Sequence, residues 1–436
     1  MKKISSSTWF SIIIFSLVGQ IAWTMENMFY NLYIVDEFSA STYDIAIMVA
    51  SSAIVATLTT LLMGALSDKL KKRKIFIVGG YLIWAIVILS FMFINKKYIH
   101  QASTGIILVI IFDCLMTFFG STANDAAYSA YLTDISDDTN RGKIEGINSA
   151  MPLIAILIVF GGLSAFAKIQ DDGSDTWYLV FIIVSGLTFL CGILGIFTIK
   201  DQKIKTEEKE ENYFKNIIYG FRPSVIKSNK TLYIILLSFA IFGISLQIYM
   251  PYYILYLQRA NISIPFIESI GFDSYIVVMA PAIIIAAIVT ILYGRVIDRF
   301  GFIKSLIPMI ITYLIGLIIL SFCSSTIMLF IGCLLMMSGY LASTACYNAV
   351  IRKYTPKDKV GLFQGLRIFC SVLIPMLIGP FIGSALSGGG AIFGVVESTF
   401  NVSKNIFLGG FIAGLIIIVP LAFSFKELIK NETNQQ

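Results

Sequence analysis

Twelve apolar runs dominate this 436-residue chain, near 8–35, 43–66, 75–95, 104–131, 144–168, 176–199, 231–257, 273–296, 305–322, 327–350, 362–386 and 404–425. Runs of roughly 20 residues match the hydrocarbon thickness of a bilayer when wound as α-helix. Lipid offers no water to a backbone N–H or C=O group, so a span of this length satisfies those groups within its own helix. Composition agrees: 57% of the residues are hydrophobic and 13% charged, against roughly a quarter charged in soluble domains. The sequence predicts an all-α membrane protein with twelve transmembrane helices facing the lipid bilayer.

The runs fall into two sets of six. Between them lies Lys200–Lys230, which contains Glu207-Glu-Lys-Glu-Glu211 and is too charged to span or to form a core. The expected organisation is a six-helix bundle over 1–199, a cytoplasmic linker over 200–230, and a second bundle with a cytoplasmic tail over 231–436. The bundles should be pseudo-symmetric, because Gly64-Ala-Leu-Ser-Asp68-Lys69 closes the second run and Gly294-Arg-Val-Ile-Asp298-Arg299 closes the eighth, with the aspartates 230 positions apart. With the N-terminus inside, 27 of the 32 basic residues fall on the cytoplasmic side, as the positive-inside rule requires. Both termini are expected to be cytoplasmic, in an integral protein of a bacterial cytoplasmic membrane.

Several classes find no support. The first run is too long for a signal-peptide core and should stay in the mature chain. The net charge of +6 follows the topological bias, and no basic-aromatic segment suggests nucleic acid. An enzyme is not expected: there is no nucleotide loop, no nucleophile and base at recognisable spacing, and no cluster of metal ligands. The six cysteines lie in or beside apolar runs and read as packing residues. Neither a metal nor an organic cofactor is expected, and the chain should be a monomer.

Twelve spans, a charged central loop and the repeated Gly-x-x-x-Asp-basic signature resemble the major facilitator superfamily, and the match extends over nearly the whole chain. The resemblance implies the major facilitator fold and alternating access to one central site. It also implies that Gly64, Asp68, Lys69, Arg73, Gly294, Asp298 and Arg299, with Arg141 and Glu145 of the following inner loop, form a cytoplasmic latch. A physical reason supports it: glycine lets helices approach closely, and the aspartate accepts from a helix N-terminus or pairs with a cation. The competing reading is that these charges only set topology.

The segment Asn124-Asp-Ala-Ala-Tyr-Ser-Ala-Tyr-Leu-Thr-Asp134-Ile-Ser, followed by Arg141 and Glu145-Gly146, resembles the glycoside cation symporters of sucrose and melibiose type. Gly19-Gln-Ile-Ala-Trp23 with Tyr30 and Tyr33 is similar to their first span. Where that group carries two aspartates in its second span, this chain has the hydroxyls Ser51, Ser52, Thr57, Thr59 and Thr60. Gln20 stands at the position of the sugar-binding aspartate, and Asp125 matches the span 4 carboxylate. Protons are therefore expected as the coupling ion, with sodium the alternative.

Charges within spans carry the functional signal, since each costs several kcal/mol unless paired or wetted. Glu26, Asp113 and Asp125 are the coupling-ion candidates. Glu26 lies nine residues before the end of its span and Asp113 nine after the start of its own, so both sit roughly 13 Å below the outer boundary. Two carboxylates at one depth in low dielectric repel, which suits a site that takes up and releases a proton.

Helical spacing at 100 degrees per residue places Thr117, Ser121, Asn124 and Tyr128 on the face of Asp113, with Asp125 beside it. In the first span Gln20, Trp23, Asn27, Tyr30 and Asn31 share a face with Glu26 at its margin. Amides and an indole suit a polyhydroxylated small molecule, though they equally glue helices together. The second half offers Gln247, a tyrosine stripe containing Tyr252 beside Pro251, and Asn348, with Arg367 expected at the cytoplasmic entrance. The expected function is proton symport of a small solute, a sugar or glycoside first. The rivals are a proton-antiporting exporter of amphiphilic compounds and a non-transporting sensor or assembly factor.

Overall fold

Ser5 starts the first helix, its hydroxyl accepting from the Thr8 N–H at 3.2 Å and so capping an otherwise unpaired donor. Ser39, in left-handed backbone at φ 54°, ends it. Two residues on, Ser41 and Asp44 cap each other's backbone: Asp44 Oδ2 accepts from Ser41 N at 3.0 Å and Ser41 Oγ from Asp44 N at 3.1 Å. This reciprocal box satisfies the fully buried Asp44 and opens the second helix.

The computed structural model describes residues 5–70, 72–136, 140–167, 176–201, 219–258, 274–356, 360–389, 393 and 402–422. Among them are twelve helices long and apolar enough to cross a membrane. We number them α1 (Ser6–Phe38), α2 (Thr42–Leu70), α3 (Arg73–Phe93), α4 (Ala102–Ile135), α5 (Gly146–Leu163) and α6 (Trp177–Thr198), then α7 (Lys230–Gln258), α8 (Ile276–Ile297), α9 (Lys304–Ser321), α10 (Thr326–Tyr354), α11 (Gly365–Leu386) and α12 (Asn405–Ala422). Each corresponds to one apolar run, and no strand occurs among the described residues. Most of the linker and the tail lie outside them.

Two compact units result: Met1–Lys209 with Gly390–Phe400, and Glu210–Gly389 with Asn401–Gln436. In the first, an aromatic core of Phe15, Phe29, Tyr30, Tyr33, Tyr81, Trp84 and Trp177 is fully buried, with Tyr33 edge-on to Trp177 at 5.1 Å. Gly120 lets α4 approach that core: a Cβ there would lie 2.8 Å from the Trp84 ring and 3.0 Å from Trp23. The second unit buries Tyr249, Tyr252, Tyr253, Tyr313 and Tyr347. Its turn between α8 and α9 is made by Gly301 at φ 83°, a conformation that favours glycine. On the outside, Ile54, Leu58, Leu62 and Leu66 form an exposed stripe at four-residue spacing along α2, the surface a lipid-facing helix needs.

The acidic residues are unevenly distributed. Within α1–α6 lie Glu26, Asp36, Glu37, Asp44, Asp68, Asp113, Asp125 and Asp134, whereas in the second set of helices the one acid is Asp298, at the end of the helix that continues α8 to Phe300.

Candidate functional site

Two of the three candidate acids sit where the α-helix gives way to a wider turn. Glu26 lies in the π turn Met25–Phe29 of α1, and Asp125 in the π segment Ser121–Tyr128 of α4. Such insertions interrupt the i to i+4 ladder and recur at functional sites.

Glu26 and Asp113 are 6% and 2% exposed. The Thr117 hydroxyl lies 2.7 Å from Glu26 Oε1, to which it donates, and 2.8 Å from the Asp113 carbonyl oxygen one turn back. Glu26 and Asp113 stand within electrostatic range of each other, and Ser52 of α2 stands beside the Asp113 carboxyl. Three helices thus contribute to one polar knot. Glu26 Oε2 and Asp113 Oδ1 are buried without a hydrogen-bond partner, as are Tyr30 Oη, Trp23 Nε1 and Asn31 Oδ1. Among the described residues neither acid is paired with a cation. Two buried carboxylates without a cation are costly in this medium.

Asp125 is half-buried, and its Oδ2 accepts from Ser121 Oγ at 3.0 Å within the same π segment. Asn124 and Tyr128 face other helices: Asn124 Nδ2 donates to Tyr81 Oη of α3 at 2.7 Å, and Tyr128 Oη donates to the Ile12 carbonyl of α1 at 2.8 Å. On α1, Trp23 leans on Trp84 with ring centroids 5.2 Å apart. Gln20 is half-buried and Asn27 exposed. The Asn27 amide donates to the Trp23 carbonyl and that of Asn31 to the Asn27 carbonyl, at 2.8 and 2.9 Å.

In the second bundle Pro251 falls in a 3-10 turn, Met250–Tyr252, that interrupts α7. The neighbouring tyrosines are largely buried, and Tyr252 Oη donates to the Pro380 carbonyl at 2.7 Å. Gln247 is half-buried. Asn348 Oδ1 accepts from Arg367 Nη2 at 3.0 Å.

The first copy of the signature forms a knot around Arg73, itself nearly buried. Arg73 pairs through Nη2 with Asp68, through Nε with Asp134 Oδ2 at 3.0 Å, and through Nη1 with Ser67 Oγ at 2.7 Å. Lys69 is exposed. The sequence reading missed Ser67 and Asp134 as partners; the pattern around Asp134 was visible, but nothing in it pointed to an arginine 61 positions earlier. Ile297 and Ile303 stand in the second copy where the first has Ser67 and Arg73, and the exposed Arg299 lies over the Phe300 ring. A Cβ at Gly64 would reach only Ala126, at 4.0 Å, and one at Gly294 would meet nothing within 4 Å. Neither glycine is held tightly against a neighbour of its own bundle, which differs from the close approach expected of them. The side chains of Arg141, Glu145 and Asp298 lie outside the described ones.

The chain belongs to the major facilitator superfamily, matching that family over residues 12–380. It is accordingly a membrane transporter of that superfamily. It is 29% identical over 210 residues to a multi-drug resistance efflux pump PmrA homolog of Lactococcus lactis subsp. lactis (strain IL1403), an overlap of 48% of this chain and 49% of that protein. The match thus spans about half the length of this curated relative. Among solved structures, a mutant of the nucleoside transporter NupG superposes with a TM-score of 0.72 at 14% identity, covering 97% of this chain and 99% of that one. A D-xylose-proton symporter gives 0.68 at 13% identity, with 94% and 97% covered. At these identities the likeness establishes the fold.

Proposed function

We propose that this chain is a secondary transporter that moves a small polar solute, a sugar or glycoside first, by alternating access and in symport with protons. One observation carries the coupling: Glu26 and Asp113 come from different helices, Thr117 one turn from Asp113 donates to the Glu26 carboxylate, and each acid is buried with an unpartnered oxygen and, among the described residues, no cation. Acidic side chains within spans mark proton and ion pathways, because each is costly there unless it serves one. The resemblance to glycoside cation symporters and the fold shared with a xylose-proton symporter favour the cargo class. The charge bias of the loops supports cytoplasmic termini, and in this reading the chain acts as a monomer with no cofactor.

A second reading rests on the relative described as a multi-drug efflux pump: export of amphiphilic compounds in exchange for protons, using the same carboxylates. Reconstituted vesicles separate the two. Under an imposed proton gradient, with a sodium gradient as the alternative arm, a panel of sugars, glycosides and amphiphilic dyes is followed in both directions. Concentrative sugar uptake that is driven by protons and abolished in Glu26→Gln and Asp113→Asn supports symport. Proton-driven dye extrusion without sugar uptake supports the exporter. Wild-type accumulation in both variants defeats the coupling assignment.

A further inference from the structure

The second bundle contains a positively charged cluster of hydrogen-bond donors. Arg367, two residues into α11, is half-buried and hydrogen-bonded to the Asn348 side-chain oxygen of α10. It has no ion-pair partner among the described residues. Its charged neighbour is another cation, Arg352, within electrostatic range, and neither α10 nor α11 contains an acidic residue. A guanidinium has five N–H donors in a planar fork, and the Asn348 bond uses one.

The surroundings add donors. With its oxygen engaged by Arg367, Asn348 presents its amide N–H groups. One turn earlier on the same face of α10, Thr344 Oγ1 is buried without a hydrogen-bond partner, and a hydroxyl can donate as well as accept. A guanidinium of α11, with an amide N–H and an unpartnered hydroxyl of α10 and no acidic side chain paired with them among the described residues, matches a planar or tetrahedral oxyanion. An arginine fork engages either in bidentate fashion.

We propose that Arg367, with Asn348 and Thr344, forms an anion-recognition site, so that the transported solute carries a carboxylate or a phosphate group. This deepens the transporter reading and rests on it, since it names the charge of the cargo. It concerns the second bundle alone and is independent of which acids carry the proton.

The test is binding to purified full-length protein, read by titration calorimetry with melting temperature as a check on folding, using glucose, glucuronate and glucose 6-phosphate as probes. The wild type should bind at least one anionic probe about tenfold or more tightly than glucose, as a charge-assisted bidentate contact implies. Which anion is preferred distinguishes carboxylate from phosphate. Arg367→Gln should reduce the preference to less than about twofold, and Arg367→Lys should retain part of it, because a point charge remains without the fork. Asn348→Asp keeps the arginine but gives it a permanent internal carboxylate, and should also remove the preference. A merely structural arginine would be satisfied by that change.

Equal binding of the three probes by wild type, absence of anion binding, or a preference that survives Arg367→Gln overturns the proposal. Proton-driven uptake of neutral sugars without anion preference defeats it while leaving the transporter reading intact. Arg367-dependent anion binding with no gradient-driven uptake of any solute does the reverse.

Discussion

The Thr117 hydroxyl donates to Glu26 Oε1 at 2.7 Å, tying α4 to α1 at a buried acid. A hydrogen bond to such a group is worth about 1.5–3 kcal/mol when its removal leaves the acceptor dry. Thr117→Val keeps the shape and deletes the donor, so it should slow proton-driven uptake by tenfold or more, by an order-of-magnitude conversion of that energy. Thr117→Ser should stay near wild type. Equal rates in the valine and serine variants would show that the contact is only packing.

Removing charge from the carboxylate pair should separate coupling from passage. Glu26→Gln and Asp113→Asn are each expected to lose accumulation against a gradient while retaining exchange of labelled for unlabelled solute across the vesicle membrane, because exchange needs no net proton movement. Loss of both activities together would place these residues in the solute site or in the structure of the bundle.

Around Arg73 the two carboxylates differ in exposure: the Asp134 side chain is 18% exposed and that of Asp68 60%. Solvent screens the second pair more strongly. Asp134→Asn should therefore lower thermal stability by about 1–2 kcal/mol, and Asp68→Asn by under about 1 kcal/mol. Melting of the purified variants gives the order; a larger loss for Asp68→Asn contradicts it.

Gly120 and Gly294 should respond oppositely to alanine. At Gly120 the added methyl runs into Trp84 and Trp23, an overpacking that costs about 1–3 kcal/mol and should shift tryptophan emission. At Gly294 there is open space, so replacing a helical glycine should leave stability unchanged or raise it by up to about 1 kcal/mol. Destabilisation at Gly294 would reveal a contact that the signature requires in another state of the cycle.

The helices were legible because apolar length is a one-dimensional property: each predicted run corresponds to a span, and the duplicated signature marks matching ends in the two halves. The polar faces were less so. A helical wheel groups Asp113, Thr117, Ser121, Asn124 and Tyr128, yet the π segment Ser121–Tyr128 changes the register. Thr117 and Tyr128 both bond to α1, at Glu26 and at the Ile12 carbonyl, whereas Asn124 turns to Tyr81 of α3. Nothing in the local spacing announced that insertion. The Arg73 knot was half legible for a related reason: Asp68 is adjacent in sequence, but Asp134 arrives through tertiary folding. Gly64 and Gly294 show the converse, a motif readable at once whose packing role does not appear within its own bundle.

The burial of Glu26 and Asp113 within the spans of the first bundle has an electrical consequence. Under the proposed coupling, a proton bound by Glu26 or Asp113 alters the charge of the first bundle. A membrane potential acts on each elementary charge crossing it with about 2.3 kcal/mol per 100 mV. Under that coupling, the membrane potential exerts its proton-dependent force on the first bundle, through α1 and α4.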